Sequence, residues 1–188
     1  MKSHLWIALR LTFAMVLLTM VAYPLFIRAV AFFIAPGRGN GQEVRAHGRL
    51  LGFRQVGQSF TLDRYFQDRP SAVGYNAAGS GASNLGPSNP DLLKGVLQRA
   101  DTIEAHNPGL TRAGIPADLL TASGSGLDPD ITPEAALVQV TRIARIRNLP
   151  QDSLVALVHR CTTPPLAGCL GPATVNVLEL NLKLDQLK

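Results

Sequence analysis

Hydrophobic residues dominate the start of the chain and form one continuous run over residues 11–35, LTFAMVLLTMVAYPLFIRAVAFFIA. As an α-helix this run would be roughly 37 Å long. A bilayer core is about 30 Å thick, so the run is long enough to cross a membrane once. No later stretch has this length and apolar character. We therefore divide the chain into a membrane anchor helix (1–35), a linker (36–43) and one domain in water (44–188).

A cleaved signal peptide is the alternative interpretation of the same run. The apolar core of a signal peptide is usually about 7–15 residues long and is followed by a small-x-small cleavage site. Here the run is longer, and Phe26, Phe32 and Phe33 lie where small residues are required. We therefore favour an uncleaved anchor. Pro24 is expected to kink it, because proline removes one helical hydrogen bond.

The domain in water begins with short apolar segments that predict strands near residues 48–55. Residues 63–89 follow, rich in Gly, Ser, Asn and Pro, without a helical or strand period. A loop of this length in a compact domain is usually functional or disordered. Its apolar residues favour order. They are Tyr65, Phe66, Tyr75 and Leu85.

Helices dominate the remainder of the predicted domain. Asn89 and Pro90 form a cap-then-proline signal that opens the first. Thr132 and Pro133 repeat the signal and open a second helix to about residue 147, and a third covers about 150–159. Three groups of residues are predicted to face the core. These are Leu93, Val96, Leu97, Ala100 and Ile103; Ala136, Leu137, Val140, Ile143 and Ala144; and Leu154, Leu157 and Val158.

Two further segments are less regular in pattern. Residues 115–122 are predicted to be extended, because Pro116 fixes the entry and apolar residues follow. Residues 175–187 alternate like a strand, but Asn176-x-x-Glu179 resembles a capping box and favours a helix. The fold class is therefore α+β, with one N-terminal transmembrane helix followed by a single domain that has a small sheet and about four helices.

Composition narrows the possible functions. The net charge is +5, but the basic residues are scattered, whereas nucleic-acid sites usually cluster them. Cys161 and Cys169 could close a short disulfide loop or remain thiols, and the sequence leaves both open. The four histidines are isolated from one another, so a metal site is not expected.

Common catalytic motifs are missing from the sequence. It contains no GxxxxGK[ST] phosphate loop, no GxSxG elbow and no HExxH pair. The glycines near residues 79 and 124 could present N–H groups to an anion, although such glycines more often form turns. The residues alone predict a single-span membrane protein without a visible catalytic constellation. The alternative is a membrane-tethered envelope enzyme that uses the loop at 81–89.

Several motifs resemble one known family, in the order that the family has them. The first lie in the loops: Tyr65-Phe66, Arg69-Pro70-Ser71, Gly81-Ala82-Ser83-Asn84-Leu85-Gly86-Pro87-Ser88-Asn89-Pro90 and the stretch from Pro116 to Ser123-Gly124-Ser125-Gly126-Leu127-Asp128. The others are Tyr23-Pro24, Thr132-Pro133-Glu134, Gln139-Val140 with Arg142, and the ending from Val175 to Asp185. Together they resemble the C subunit of bacterial Kdp potassium-transporting P-type ATPases, the KdpC family. The cysteine pair departs from the family pattern.

This resemblance implies a non-catalytic accessory subunit of a high-affinity, ATP-driven potassium import complex. The implied partners are a potassium-binding channel-like subunit, an ATP-hydrolysing P-type subunit, a small hydrophobic subunit and the membrane, but no nucleic acid. The implied location is the bacterial cytoplasmic (inner) membrane, with the N-terminus inside and the C-terminal domain outside. Charge alone leaves that orientation open.

The resemblance also implies two possible roles besides assembly and stabilisation of the complex. One is a catalytic chaperone for ATP use, with Gln139 as a possible nucleotide contact. The other is a lid over the potassium entrance. The family motifs mark candidate interface residues: Arg69, Pro70, Ser71, Ser83, Asn84, Leu85, Asn89, Pro90, Ser123, Gly126, Leu127 and Asp128. No catalytic residue, metal or tightly bound cofactor is expected, since ATP and potassium would act through the complex.

Overall fold

The computed structural model describes residues 2–46 and 48–187. It has one apolar N-terminal helix, small sheets and several further helices, which confirms the predicted fold class. The chain divides into two compact units, one ending at Glu43 and the other beginning at Val44.

The N-terminal unit is helical to Ile34. Helix α1 (Lys2–Val16) continues through a π-helical segment (Leu17–Ala22) into α2 (Tyr23–Ile34), and a 3-10 turn (Pro36–Gly39) follows. The stretch His4–Ile34 is long and apolar enough to cross a membrane. The π-helical segment ends two residues before Pro24, where the sequence predicts a kink. Its wide turn ends where the Tyr23 N–H donates to Leu18 O, five residues back, directly before the proline.

The second unit holds two small sheets among short helices. Its strands are β1 (Glu43–Ala46), β2 (Arg49–Phe53), β3 (Asp130–Ile131), β4 (Thr162–Thr163) and β5 (Thr174–Asn176). Its helices are α3 (Pro90–His106), α4 (Ala117–Leu120), α5 (Pro133–Leu137), α6 (Val140–Arg147), α7 (Gln151–Cys161) and α8 (Val177–Asp185), with a 3-10 turn at Arg112–Gly114. Strands β1 and β2 pair with each other, which confirms strands in this region. Strand β5 lies between β3 and β4, antiparallel to both, and its Val175 is opposite Ile131 and Thr162.

The core of this unit lies between α5, α6, α7, α8 and the sheet that contains β5. The predicted inward residues of α7 are buried, as are four of the five predicted after Pro133. The buried residues in question are Leu154, Leu157, Val158, Ala136, Val140, Ile143 and Ala144. Leu137 is half-buried and packs against this core. The 3–4 spacing therefore identified the core faces of these helices correctly.

Both cap-then-proline predictions are confirmed. The Asn89 side chain accepts a hydrogen bond from the Asp91 N–H at 2.9 Å and opens α3. The Thr132 hydroxyl accepts one from the Ala135 N–H at 3.1 Å and opens α5. At the C-terminus, the Asn176 side chain accepts from the Glu179 N–H, so the last segment is a helix as predicted, preceded by the three residues of β5.

Three details of the predicted helices and strands are wrong. Residues 115–122 are not fully extended, because the Thr121 N–H donates to Ala117 O and closes one helical turn, α4. The predicted helix over 133–147 is interrupted between α5 and α6. On α3, Ala100 is buried, but Leu93 and Leu97 are 60% and 41% exposed, so the predicted core face of α3 is covered only in part.

Residues 63–89 contain no helix or strand, as the sequence predicts, but they are held by side chains from the helices. The side chain of Phe66 is fully buried in the core. The Phe66 N–H donates to Asn181 Oδ1 at 2.9 Å, and Asn181 Nδ2 donates back to Phe66 O at 2.9 Å. Gln139 makes the same two-point pairing with the backbone of Gln67, at 2.8 and 3.1 Å. The two side-chain amides thus pair with the backbone of residues 66–67 as a neighbouring strand would in a sheet.

Candidate functional site: a cluster of loops

Three of the motif segments meet at one place, which we call the loop cluster: residues 69–71, 80–81 and 123–128. The Ser123 N–H donates to Pro70 O at 3.2 Å. The Gly81 N–H and the Ser80 hydroxyl both donate to Ser125 O, at 2.8 and 3.0 Å. The structure thus joins segments that are more than 40 residues apart in the sequence.

Ser71 is at the centre of the loop cluster. Its hydroxyl donates to Gly126 O at 2.6 Å. The same oxygen accepts from the N–H groups of Val73 and Tyr75, at 3.2 and 2.9 Å. One hydroxyl therefore connects the loop over 123–128 to the turn that follows Ser71.

Gly126 is required for this close approach. Its φ of +67° is unfavourable for any residue with a side chain. A Cβ at this position would lie 2.7 Å from Gly81 O and 2.7 Å from Val73 Cγ2. Leu127 continues the contact network, because its carbonyl accepts from the Gly57 N–H at 2.8 Å.

An ion pair closes one side of the loop cluster. Arg69 Nη1 donates to Asp128 Oδ2 at 2.9 Å, with both side chains about one-third exposed. Asp128 Oδ1 accepts from the Asp130 N–H, and the Tyr75 hydroxyl donates to Arg69 O. Burial raises the pKa of Asp130, and burial with the nearby Asp68 raises the pKa of Tyr75 to about 12. The pair and its neighbours hold a fixed shape.

Asp68 is a buried carboxyl beside the loop cluster. Burial raises its pKa to about 7, and the charges of Asp128 and Asp130 add to that rise. The Arg69 N–H donates to Asp68 Oδ1 at 2.7 Å and opposes it. Within the described chain, Asp68 Oδ2 and Arg69 Nε have no hydrogen-bond partner. Burial therefore favours the protonated form of the Asp68 carboxyl.

The remaining motif residues lie elsewhere. Residues 83–88, which include Ser83, Asn84 and Leu85, are exposed and form what we call the exposed strip. Asn84 has a φ of +54°. Asn89 and Pro90 follow it as the cap and first residue of α3. The exposed strip is therefore attached to Gly81 of the loop cluster at one end and to a helix at the other.

Gln139 lies between α5 and α6 and is 2% exposed. Its Nε2 donates to Gln67 O and Ala135 O, and its Oε1 accepts from the Gln67 N–H and from Arg142 Nη2. It borders a cleft of about 370 Å³ between residues 67–70 and α3, which also contains Asp68 and Arg99. Both polar atoms of the Gln139 amide are thus used within the fold.

Sequence reasoning assigned no role to Asp68 and quoted Arg142 only as part of a motif. Arg142 is 1% exposed, and its guanidinium donates to Asn107 Oδ1, Tyr65 O and Asp63 O as well as to Gln139. Burial lowers its pKa. The sequence did offer one signal that Arg142 is buried: it lies three residues after Gln139 and next to Ile143, which was predicted to face inward. Asp68 gave no signal, because it lies in a segment without a period.

The chemistry of this region is that of hydrogen bonding and ion pairing. The Ser125 hydroxyl accepts from the Leu127 N–H, so it serves the turn that contains it. Among residues 2–46 and 48–187, no three His, Cys, Asp or Glu side chains are grouped as metal ligands, and His47 lies outside these residues. Cys161 and Cys169 are free thiols. The residues of the loop cluster thus form a surface whose shape is set by these hydrogen bonds and the ion pair.

Comparison with known proteins gives a consistent result. The family model KdpC, described as K+-transporting ATPase, c chain, matches residues 5–186. A potassium-transporting ATPase KdpC subunit of Flavobacterium psychrophilum is 50% identical over 187 residues, which cover 99% of this chain and 100% of the relative. One of Polaromonas naphthalenivorans is 48% identical over 191 residues, covering 100% and 97%.

The close approach at Gly126 predicts a sharp difference between two neighbouring glycines. Gly126→Ala should lower the free energy of unfolding by about 2 kcal/mol or more, because the Cβ meets backbone and the φ is unfavourable. Gly124→Ala is the matched control, since a Cβ there meets nothing within 4 Å. It should change stability by less than about 0.5 kcal/mol. Urea denaturation of the full chain in detergent, followed by circular dichroism, measures both. Equal effects would contradict the described packing.

The buried carboxyl predicts an unusual pH dependence of stability. The unfolded chain loses the Asp68 proton near its ordinary pKa of 3.8, whereas the folded chain holds it to about 7. The free energy of unfolding should therefore fall as pH rises from about 4 to about 7, by at most roughly 4 kcal/mol.

Asp68→Asn should remove this contribution to the slope. Asp152→Asn, at an exposed carboxyl in the first turn of α7, should retain it. Denaturation curves across this pH range test both variants. An unchanged slope in Asp68→Asn would show that Asp68 is not the titrating group.

Proposed function

The chain belongs to the KdpC family, the c chain of K+-transporting ATPases, and we propose that it acts there as a non-catalytic accessory subunit that assembles and stabilises the complex. It is thus a membrane-associated subunit of a P-type potassium pump. Its partners in the proposal are a channel-like potassium-binding subunit, the ATP-hydrolysing subunit and a small hydrophobic subunit.

One observation carries the proposal: the loop cluster fixes the base of an exposed irregular strip. Ser71, Gly126 and the Arg69–Asp128 pair hold the loops, and residues 83–88 project from them into solvent. Exposed loops on a rigid scaffold are a common form of binding surface. A surface held in one shape before binding loses less entropy when it docks. We therefore assign partner contact to the exposed strip.

We place the domain outside the cytoplasmic membrane, with the N-terminus inside, where it would act as a lid over the potassium entrance. The single candidate span at His4–Ile34 supports one crossing. The resemblance of the motifs supports the direction. In this position the subunit would reach ATP and potassium only through the complex.

The competing role, a nucleotide-binding chaperone, is disfavoured by the contacts of Gln139. To bind ATP, its amide would have to give up bonds to Gln67 and Arg142. The adjoining cleft contains the carboxyl of Asp68, and Nη1 of its Arg99 already donates to Leu120 O. A triphosphate would meet a carboxyl there and a guanidinium that is already engaged.

The proposal predicts that a charge in the exposed strip weakens assembly. Leu85→Asp should reduce copurification of the chain with the other pump subunits at least tenfold, or about 1.4 kcal/mol, because a buried unpaired carboxylate is costly. Leu85 is 36% exposed and does not belong to the hydrophobic core, so the fold should be retained. Leu62→Asp is the matched control, at a leucine that is 59% exposed outside the loop cluster and the exposed strip.

Circular dichroism of each purified variant separates misfolding from loss of contact. Potassium-dependent ATP hydrolysis by the purified complex gives the second measurement, and Leu85→Asp should raise the potassium concentration needed for half-maximal activity. Equal assembly and potassium dependence in the two variants would refute partner contact by the exposed strip. Turnover of a substrate by the chain alone, lost in Ser83→Ala, would instead support the envelope enzyme.

A further inference from the structure

A small hairpin between β4 and β5 presents two leucines to solvent. We call residues 164–170 the apolar tip. Leu166 and Leu170 are 73% and 61% exposed and lie opposite each other in an antiparallel bridge. Between them the chain turns through Ala167 and Gly168, both with positive φ. Two large apolar side chains thus project together from one turn.

Most of the backbone N–H groups of the apolar tip are paired within the tip itself. The N–H groups of Leu166 and Leu170 each donate to the carbonyl of the other at 3.0 Å. Those of Gly168 and Cys169 donate to Pro165 O and Leu166 O, at 3.0 and 3.3 Å. Pro164 and Pro165 have no N–H to satisfy. The tip can therefore leave water without exposing many unpaired donors to an apolar medium, which would be costly.

The sequence around the tip also contains no charged residues. Between Arg160 and Glu179 there is no Asp, Glu, Lys or Arg, a stretch of 18 residues in a chain that is 16% charged. Outside this stretch, Arg160 is exposed at the end of α7. Arg160 directly precedes this uncharged stretch in the sequence, and basic residues are attracted to anionic lipids.

We propose that the apolar tip inserts into the interfacial layer of the lipid bilayer in which the chain is anchored. Protein interfaces usually carry about one hydrogen bond per 100–200 Å². Among the N–H groups of residues 164–170, only that of Ala167 lacks a backbone partner, so the tip has few donors to offer to a protein surface. The proposal rests on the membrane anchor of the proposed function. It adds a second membrane contact, made by the domain in water.

Anchoring makes this weak contact sufficient. The N-terminal helix would keep the domain near one bilayer, so docking of the tip would be intramolecular and would benefit from a high effective concentration. Burial of two leucine side chains should shift the ratio of docked to undocked domain on the order of a hundredfold. Docking of this kind would limit how far the domain moves relative to its anchor.

Cys169 provides the labelling site for the test, because it is an exposed thiol within the tip. The full chain, with Cys161→Ala, is labelled at Cys169 with the fluorophore NBD and placed in bilayer discs of phosphatidylcholine and phosphatidylglycerol. Discs leave both faces open to water. Spin-labelled lipids quench the fluorophore if it lies in the bilayer, and iodide quenches it if it lies in water.

We expect quenching by spin-labelled lipid and protection from iodide. Leu166→Ser with Leu170→Ser should reverse both, with a loss of docking on the order of a hundredfold. Quenching by lipid that persists in the double variant would show that the fluorophore itself drives insertion, and would overturn the proposal. A reference label at Ala78→Cys, in an exposed turn of a chain that also has both native cysteines replaced, should be quenched by iodide.

Three other results would also overturn the inference, and they are distinguishable. A chain that does not co-elute with discs would refute the anchor and, with it, the membrane-facing tip. A chain that co-elutes but whose Cys169 label is quenched by iodide would refute the tip alone. Shielding of this label only in the assembled pump would show that a protein subunit covers the leucines.

Discussion

The fold depends on satisfying the backbone of a buried segment that belongs to no sheet. Phe66 places its ring in the core, and this takes the backbone of residues 66–67 out of water. Buried N–H and C=O groups must find partners. Asn181 of α8 and Gln139 between α5 and α6 provide them, each pairing with both polar groups of one residue. Loss of the Asn181 amide would leave two buried backbone groups of Phe66 unpaired, and loss of the Gln139 amide would leave two half-buried groups of Gln67 unpaired.

This constraint links the core to the loop cluster. Arg142 donates to Tyr65 O just before the buried segment and to the Gln139 amide, so one guanidinium fixes both. Directly after the segment, Asp68 and Arg69 lead into the contacts with Asp128. The buried segment at Phe66 is therefore connected to the loop cluster through Asp68 and Arg69. A long loop can be rigid in this way without secondary structure. A docking surface requires such rigidity.

The sequence predicted local structure well and long-range structure poorly. Asn89-Pro90, Thr132-Pro133 and Asn176 identified helix starts, because a cap acts on N–H groups two or three residues away. Leu93 and Leu97 were wrongly placed in the core, since a 3–4 spacing shows an apolar face but not what covers it. The turn at α4 is too short to have a period of its own.

The candidate site shows the same difference between what local patterns predict and what long-range contacts decide. The motifs named Arg69, Ser71, Gly126 and Asp128, but no pattern could show that they meet, because segments 50 or more residues apart form those contacts. The buried carboxyl of Asp68 could not be foreseen either, since its altered pKa arises from burial and from charges on another loop. Gln139 is the reverse case: the resemblance marked it as a possible nucleotide contact, but its amide is hydrogen-bonded to Gln67 and Arg142.

The orientation of the chain tests the account most directly. Asn40→Cys, at an exposed position after α2, is introduced into a chain in which Cys161 and Cys169 are replaced by alanine. Intact spheroplasts are treated with a membrane-impermeant thiol reagent. The account predicts labelling without permeabilisation, which would put the domain outside, away from cytoplasmic ATP. Protection until the membrane is opened would contradict it, place the domain inside and restore direct nucleotide contact as the leading role.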